Sequence, residues 1–382
     1  MESIRRRTIL GLGLAAVAGW EAGLGRVSAF GASPAQDAGA SSAKIGELNR
    51  RGVEFLRPRQ ASDGSWSADR KEPGITALVI AGLLRSRLVT PAEPFVVKGL
   101  AYLEQFVTAK GGLSDVNHAN YATSIGLIAF QEANVGGKYD KVIKDGQNFL
   151  KTMQWDETEG KASADPFYGG AGYGGKSNRP DLSNTTFMLE ALHDTGLPAD
   201  DPAFQKALVF VSRCQNLKSE FNDQEWAGKV NDGGFIYTAA NGGTSVAGKD
   251  DQGGLRSYAS MTYAGLKSMI YAGLTKDDAR VRAAVQYLKS NYTLDENPGL
   301  GQKGLYYYYQ VFGKTMAALE QESFVDANGA SHDWRADLVD ALAKRQAANG
   351  SWVNANDLFM EGDPNLVTAY ALLALAQARP KA

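Results

Sequence analysis

Apolar residues along this chain fall into two alternating patterns. In Pro94–Thr108 they stand at three- and four-residue steps (Val97, Leu100, Tyr102, Leu103, Phe106), which gives a helix one buried stripe and one wet face. Tyr139–Gln154, Asp201–Gln215 and Asp277–Asn291 read the same way. Between these segments lie helices of a second kind. Ile75-Thr76-Ala77-Leu78-Val79-Ile80-Ala81-Gly82-Leu83-Leu84 is apolar almost all round, as a helix surrounded by other helices has to be. Five such segments share a register in which Thr precedes a large apolar residue by seven positions: Thr76/Leu83, Thr123/Phe130, Thr185/Leu192, Thr262/Met269 and Thr368/Leu375. In a further segment Phe312/Leu319 takes that slot. Small residues (Ala81, Gly82, Ala129, Ala191, Gly265, Ala374) sit where neighbouring backbones would come close.

The pattern repeats, and its two ends are the most regular copies. Arg51–Leu56 followed by Gln60-Ala61-Ser62-Asp63-Gly64-Ser65-Trp66 returns near the other end as Ala336–Arg345 followed by Gln346-Ala347-Ala348-Asn349-Gly350-Ser351-Trp352. Each is an amphipathic helix, a Gln, and a Gly-x-Trp turn. Recurrence of this kind marks a repeat architecture. Six helix pairs with apolar inner and amphipathic outer members predict an all-α fold, an (α/α)6 toroid. An open solenoid is the alternative, but it would need polar capping repeats at its ends. No alternating strand pattern of any length competes with helix.

The Gln-x-x-x-Gly-x-Trp segments, with Arg51-Gly52-x-x-Phe55-Leu56 upstream and degenerate copies at Gly146–Gln154 and Ala207–Gln215, resemble the QW motif of the squalene cyclases. The whole repeat is similar to the toroid of terpene cyclases and protein prenyltransferase β-subunits. That resemblance implies a structural role for Gln60, Trp66, Gln346 and Trp352. It also places any function inside the ring, at the N-terminal ends of the inner helices.

Composition narrows the partners. Forty basic and forty-two acidic residues leave no net field to draw nucleic acid or an anionic surface. The N-terminus reads as an export signal over residues 1–29: Arg5-Arg6-Arg7-Thr8-Ile9-Leu10 resembles a twin-arginine signal, and Val27-Ser28-Ala29 offers a cleavage site. An uncleaved anchor is the other reading. Residues 30–43, rich in Ala, Gly and Ser, follow as a tether, and the toroid is expected over 44–379 as one domain, periplasmic or extracellular. The single cysteine, Cys214, allows no internal disulfide and reads as a buried apolar residue.

The candidate chemistry is sparse. Arg179-Pro180-Asp181-Leu182-Ser183-Asn184-Thr185 resembles the Asp-x-Asp-Asp-Thr segment whose third residue is the proton donor of class II cyclases. Here that place holds Ser183, and the next holds Asn184; neither can protonate an alkene. Asp181 remains as the catalytic candidate, or as a helix cap. Prenyltransferases place Asp-x-Cys and a distant His here to hold zinc, but Asp181-x-Ser183 lacks the thiolate, and His118, His193 and His332 are scattered. No metal and no cofactor are expected. Tyr121, Tyr173, Tyr258 and Tyr308, with Ser183 and Asn184, are the candidate ligand-binding residues, because tyrosine faces at inner-helix starts can hold an apolar ligand or stabilise a cation. Gly170–Ser177 matches the P-loop pattern but lacks the strand before it and the helix after it, so no nucleotide is expected.

The reading is an exported cyclase- or prenyltransferase-like toroid that acts on or binds an apolar polyisoprenoid, with room for peripheral contact at a membrane. Two alternatives stand beside it. One is a non-catalytic toroid for a ligand or protein partner. The other is a polysaccharide-active toroid using two carboxylates from Asp63, Asp115, Asp181, Asp232 and Asp363.

Overall fold

The computed structural model describes residues 34–67, 70–113, 118–174 and 179–380. The reading of residues 1–29 lies outside them. Thirteen helices are described. The outer ones are α1 (Pro34–Leu56), α3 (Pro94–Glu104), α5 (Asp140–Lys151), α7 (Pro202–Arg213), α10 (Ala279–Ser290) and α12 (Trp334–Arg345). The inner ones are α2 (Gly74–Arg85), α4 (Ala119–Glu132), α6 (Leu182–Asp194), α9 (Ala259–Tyr271), α11 (Leu305–Ala318) and α13 (Pro364–Gln377), while α8 (Ala227–Val230) is one turn in a loop. A two-residue antiparallel pair, β1 (Phe324–Val325) with β2 (Ser331–His332), is the only sheet among the described residues.

The inner helices pack in the order α2, α4, α6, α9, α11, α13, and α13 returns to α2. The ring is closed, and the fold is the α/α toroid. Closure is carried by the motif turns. Gln346 Nε2 donates to Leu48 O on α1 at 3.0 Å, Arg51 Nη2 donates to Ala347 O at 2.8 Å, and Asn365 Nδ2 donates to Trp66 O at 2.9 Å. Gly350 has φ +90°, and a Cβ there would lie 2.3 Å from Arg51 O. Only glycine fits so close to the first helix.

Four of the six units share one bonding scheme. Gln60, Gln154, Gln215 and Gln346 each donate through Nε2 to a turn glycine carbonyl (Gly64, Gly169, Gly233, Gly350). Each also donates to a carbonyl of a neighbouring outer helix (Phe95, Ala203, Arg280, Leu48). The recurring threonines have an equally local reason. Thr76, Thr123, Thr185, Thr262 and Thr368 accept the turn N–H of Trp66, Leu113, Ala171, Phe235 and Trp352. Thr185 and Thr262 also donate back to the carbonyl four residues earlier. Those turn amides are buried, so without the hydroxyl they would be orphaned.

One expectation changes. The stretch read as a tether is helical from Pro34 onward as the first part of α1. Its alanines favour helix, and the later part of α1 packs on α12 and α13.

Candidate functional site

The ring is filled differently at its two ends. At the C-terminal ends of the inner helices lies a buried ionic cluster. Glu190 on α6 pairs with Lys267 on α9, and with Lys314 on α11 at 2.5 Å. Lys314 reaches Asp194 at 2.6 Å, and Arg85 on α2 joins Asp194 and Glu132, each at 2.8 Å. Three carboxylates meet three cations, so the cluster is neutral while it ties five inner helices together. Burial alone would raise the Glu190 carboxyl; the charges of Lys267 and Lys314 outweigh it and hold the group below its usual range.

Four aromatic rings, one each from α4, α6, α11 and α13, form a box within the ring. Tyr121 meets Phe187 edge-on at 4.9 Å, Phe187 meets Tyr307 at 5.9 Å, Tyr307 meets Tyr370 at 6.2 Å, and the Tyr370 and Tyr121 hydroxyls close the circuit at 3.2 Å. These rings border a cavity of about 430 Å³. It opens at the N-terminal ends of the inner helices, in the size range of small-molecule sites. Tyr173, Tyr237, Tyr258, Met261, Leu300 and Leu366 extend its wall. Around the mouth Tyr173, Val246, Phe359 and Met360 are partly exposed, Phe359 by 51%. Phe359 and Met360 both have φ +64°, a strained region for non-glycine residues, and Phe359 packs over Gly304.

The expected residues divide cleanly. Tyr121, Tyr173, Ser183, Asn184 and Tyr258 border the cavity. Tyr308 does not: it is fully buried in the wall, with its hydroxyl donating to Thr293 O at 2.6 Å. Its neighbour Tyr307 faces the cavity instead, because successive residues on a helix point about 100° apart. Asp181 is not a cavity residue either. Only 2% exposed, it caps α6, accepting from Asn184 N at 2.9 Å and from Asn184 Nδ2 at 3.1 and 3.0 Å. Burial pushes its carboxyl up to about 6, against the bonds from Asn184 and the nearby Arg179 and Tyr237.

The carboxylates that do border the cavity are Glu72 and Glu361. Glu361 is fully buried and caps α11, whose own N-cap, Gly304, has no side chain. Its Oε1 accepts from Tyr306 N at 2.9 Å and Tyr307 N at 2.8 Å, and its Oε2 from Asn354 Nδ2 at 2.7 Å. Burial raises its carboxyl against those bonds. Nothing local marks Glu361 in the sequence, since the helix it caps begins more than fifty residues away. Of the aspartates considered for polysaccharide chemistry, Asp63, Asp181, Asp232 and Asp363 lie outside the cavity wall, each as a turn or cap residue accepting an N–H group, at Ser65, Asn184, Gly234 and Asn365 respectively. Asp115 lies outside the described residues, as do Lys176 and Ser177 of the P-loop-like run.

His118 borders the cavity beside Tyr173, His193 stacks on Tyr271 with ring centroids at 3.7 Å, and His332 lies between Asp326 and Asp337. Among the described residues no cluster of His, Cys, Asp or Glu could hold a metal ion. Cys214 is buried and free.

The α/α toroid is shared with solved structures of known activity. The type II terpene cyclase MstE from Scytonema, in complex with merosterolic acid A, aligns with TM-score 0.55 at 13% identity, covering 89% of this chain and 99% of that one. The same cyclase in complex with geranylgeranyl dihydroxybenzoate gives 0.53 at 12%, with the same coverage. Candida albicans protein geranylgeranyltransferase-I complexed with GGPP gives 0.51 at 13%, covering 86% and 90%. At these identities the likeness is one of fold. No family model and no curated protein matches the sequence.

Proposed function

We propose that this protein binds an apolar polyisoprenoid in the cavity of its toroid, after export. One observation carries the reading: the closed ring keeps a cavity of about 430 Å³ walled mainly by tyrosine, phenylalanine and aliphatic side chains, with no Lys or Arg among the described lining residues. A diphosphate or other anionic head group finds no Lys or Arg counter-charge among the described lining residues. A hydrocarbon chain loses water against ring faces over most of its length. The terpene-cyclase and prenyltransferase neighbours, whose structures hold geranylgeranyl compounds, support the same ligand class. The partly exposed apolar rim supports uptake at a membrane surface, and among the described residues no helix is long and apolar enough to cross one.

Binding is favoured over proton-initiated cyclisation by the state of two of the acids, Asp181 and Glu361. Asp181 is spent on capping below the wall, and both oxygens of Glu361 already accept N–H groups. Neither is presented as a free proton donor. Mass spectrometry of lipid extracted from the purified protein, with titration of squalene and geranylgeraniol, tests the proposal. Ala122→Trp, which fills the cavity beside Tyr121, abolishes binding and leaves helicity intact. Equal binding by that variant and the wild type would refute the site. Conversion of squalene to isomeric products would overturn the non-catalytic part alone.

A further inference from the structure

The aromatic box turns its rings, not its hydroxyls, to the cavity. The Tyr121 and Tyr370 hydroxyls bond to each other at 3.2 Å. The Tyr307 hydroxyl is wholly covered, beside the Ser183 and Thr186 hydroxyls, while the residue as a whole keeps partial exposure, so what Tyr307 shows the cavity is ring carbon. Phe187 has no hydroxyl to offer. The four rings come from four different inner helices, and neighbouring centroids along the circuit stand 4.9, 5.9 and 6.2 Å apart. Aromatic faces are negative at their centres, and a cation within about 6 Å of a centroid is attracted to them. Among the described residues, the ionisable side chains on the wall other than tyrosine are Glu72, His118 and Glu361. The inner helices aim their positive N-terminal ends at this cavity, and carboxylates offset three of the four that carry the box: Asp181 caps α6, Glu361 caps α11 and Asp363 caps α13.

We infer that the box is a cage for an organic ammonium ion whose nitrogen carries methyl or larger alkyl groups. The alkyl shell of such an ion loses water against the rings as any apolar group does, and its spread positive charge is drawn to the ring faces. A primary ammonium fits less well, because its three N–H groups need acceptors that the tied hydroxyls do not supply. An anion would meet π faces and carboxylates of its own sign. The inference goes beyond the polyisoprenoid reading: it concerns the charge of the group seated on the box and needs no isoprenoid chain.

The test titrates hexyltrimethylammonium and its neutral isostere, in which tert-butyl replaces trimethylammonium, into the purified full chain in one nonionic detergent, with squalene as a third probe. The ammonium ion is expected to bind at least about tenfold more tightly than the isostere, and Tyr307→Phe, which keeps the ring, retains that ratio. In Phe187→Leu with Tyr307→Leu the ratio falls to within about twofold. Should that variant fail to fold, the wild-type ratio decides alone. Equal binding of ion and isostere, no binding of the ion, or loss of the ratio in Tyr307→Phe overturns the cage. Squalene binding in that case leaves the polyisoprenoid reading standing, whereas a preference for the ion without squalene binding overturns that reading and keeps the cage.

Discussion

Replacing Glu190 with Leu should destabilise the toroid by about 3–5 kcal/mol at pH 7. Lys267 is 1% exposed, and its one ion-pair partner among the described residues is Glu190. Lys314 keeps Asp194 at 2.6 Å, so the damage centres on Lys267. A buried lysine without a counter-charge escapes by giving up its proton. From the ordinary value of 10.5, that escape caps the penalty at about 5 kcal/mol at pH 7, and lowers the cap by about 1.4 kcal/mol for each pH unit above it. Burial already lowers the Lys267 ammonium from its usual range, despite Glu190 beside it. Urea unfolding of wild type and Glu190→Leu at pH 7 and pH 9 should therefore show the deficit shrinking to about 2 kcal/mol at the higher pH. The double change Glu190→Leu with Lys267→Met should recover most of the loss, since apolar replacement of a whole buried pair is often near neutral. A deficit below about 1 kcal/mol at pH 7, or one that does not change with pH, would refute the reasoning.

The motif glutamines and the capping aspartate give two further tests. Gln215→Leu should cost about 1–3 kcal/mol by orphaning the Gly233 and Arg280 carbonyls, as much as Gln60→Leu in a full motif copy; a change in urea midpoint for Gln60 but not Gln215 would show the degenerate copies to be idle. Asp181, raised from 3.8 to about 6 in the fold, contributes fully below pH 3.8, and its contribution is lost as pH rises through 6. The stability of wild type relative to Asp181→Asn should therefore fall by up to about 3 kcal/mol between pH 4 and pH 7.5, and a pH-independent difference would show that burial does not govern this carboxyl.

Local pattern accounts for much of the architecture. Helix type is legible because amphipathic and all-apolar segments differ in their periodicity, and the Gln, Gly and Thr positions recur because each repeat closes its turn with the same hydrogen bonds within one or two neighbouring units. Tyr121, Ser183, Asn184 and Tyr258 could be placed near the cavity because they lie in the first turns of inner helices, where such a ring opens. Choosing between Tyr307 and Tyr308 could not be done that way. Four consecutive tyrosines carry no sign of which one faces inward until α11 is seated against α9 and α13. Glu361, Glu190 with its lysines, and the aromatic box have the same origin. Each joins residues far apart in the chain that meet only when the ring closes, so sequence alone decided the units and tertiary packing decided what their inner walls enclose.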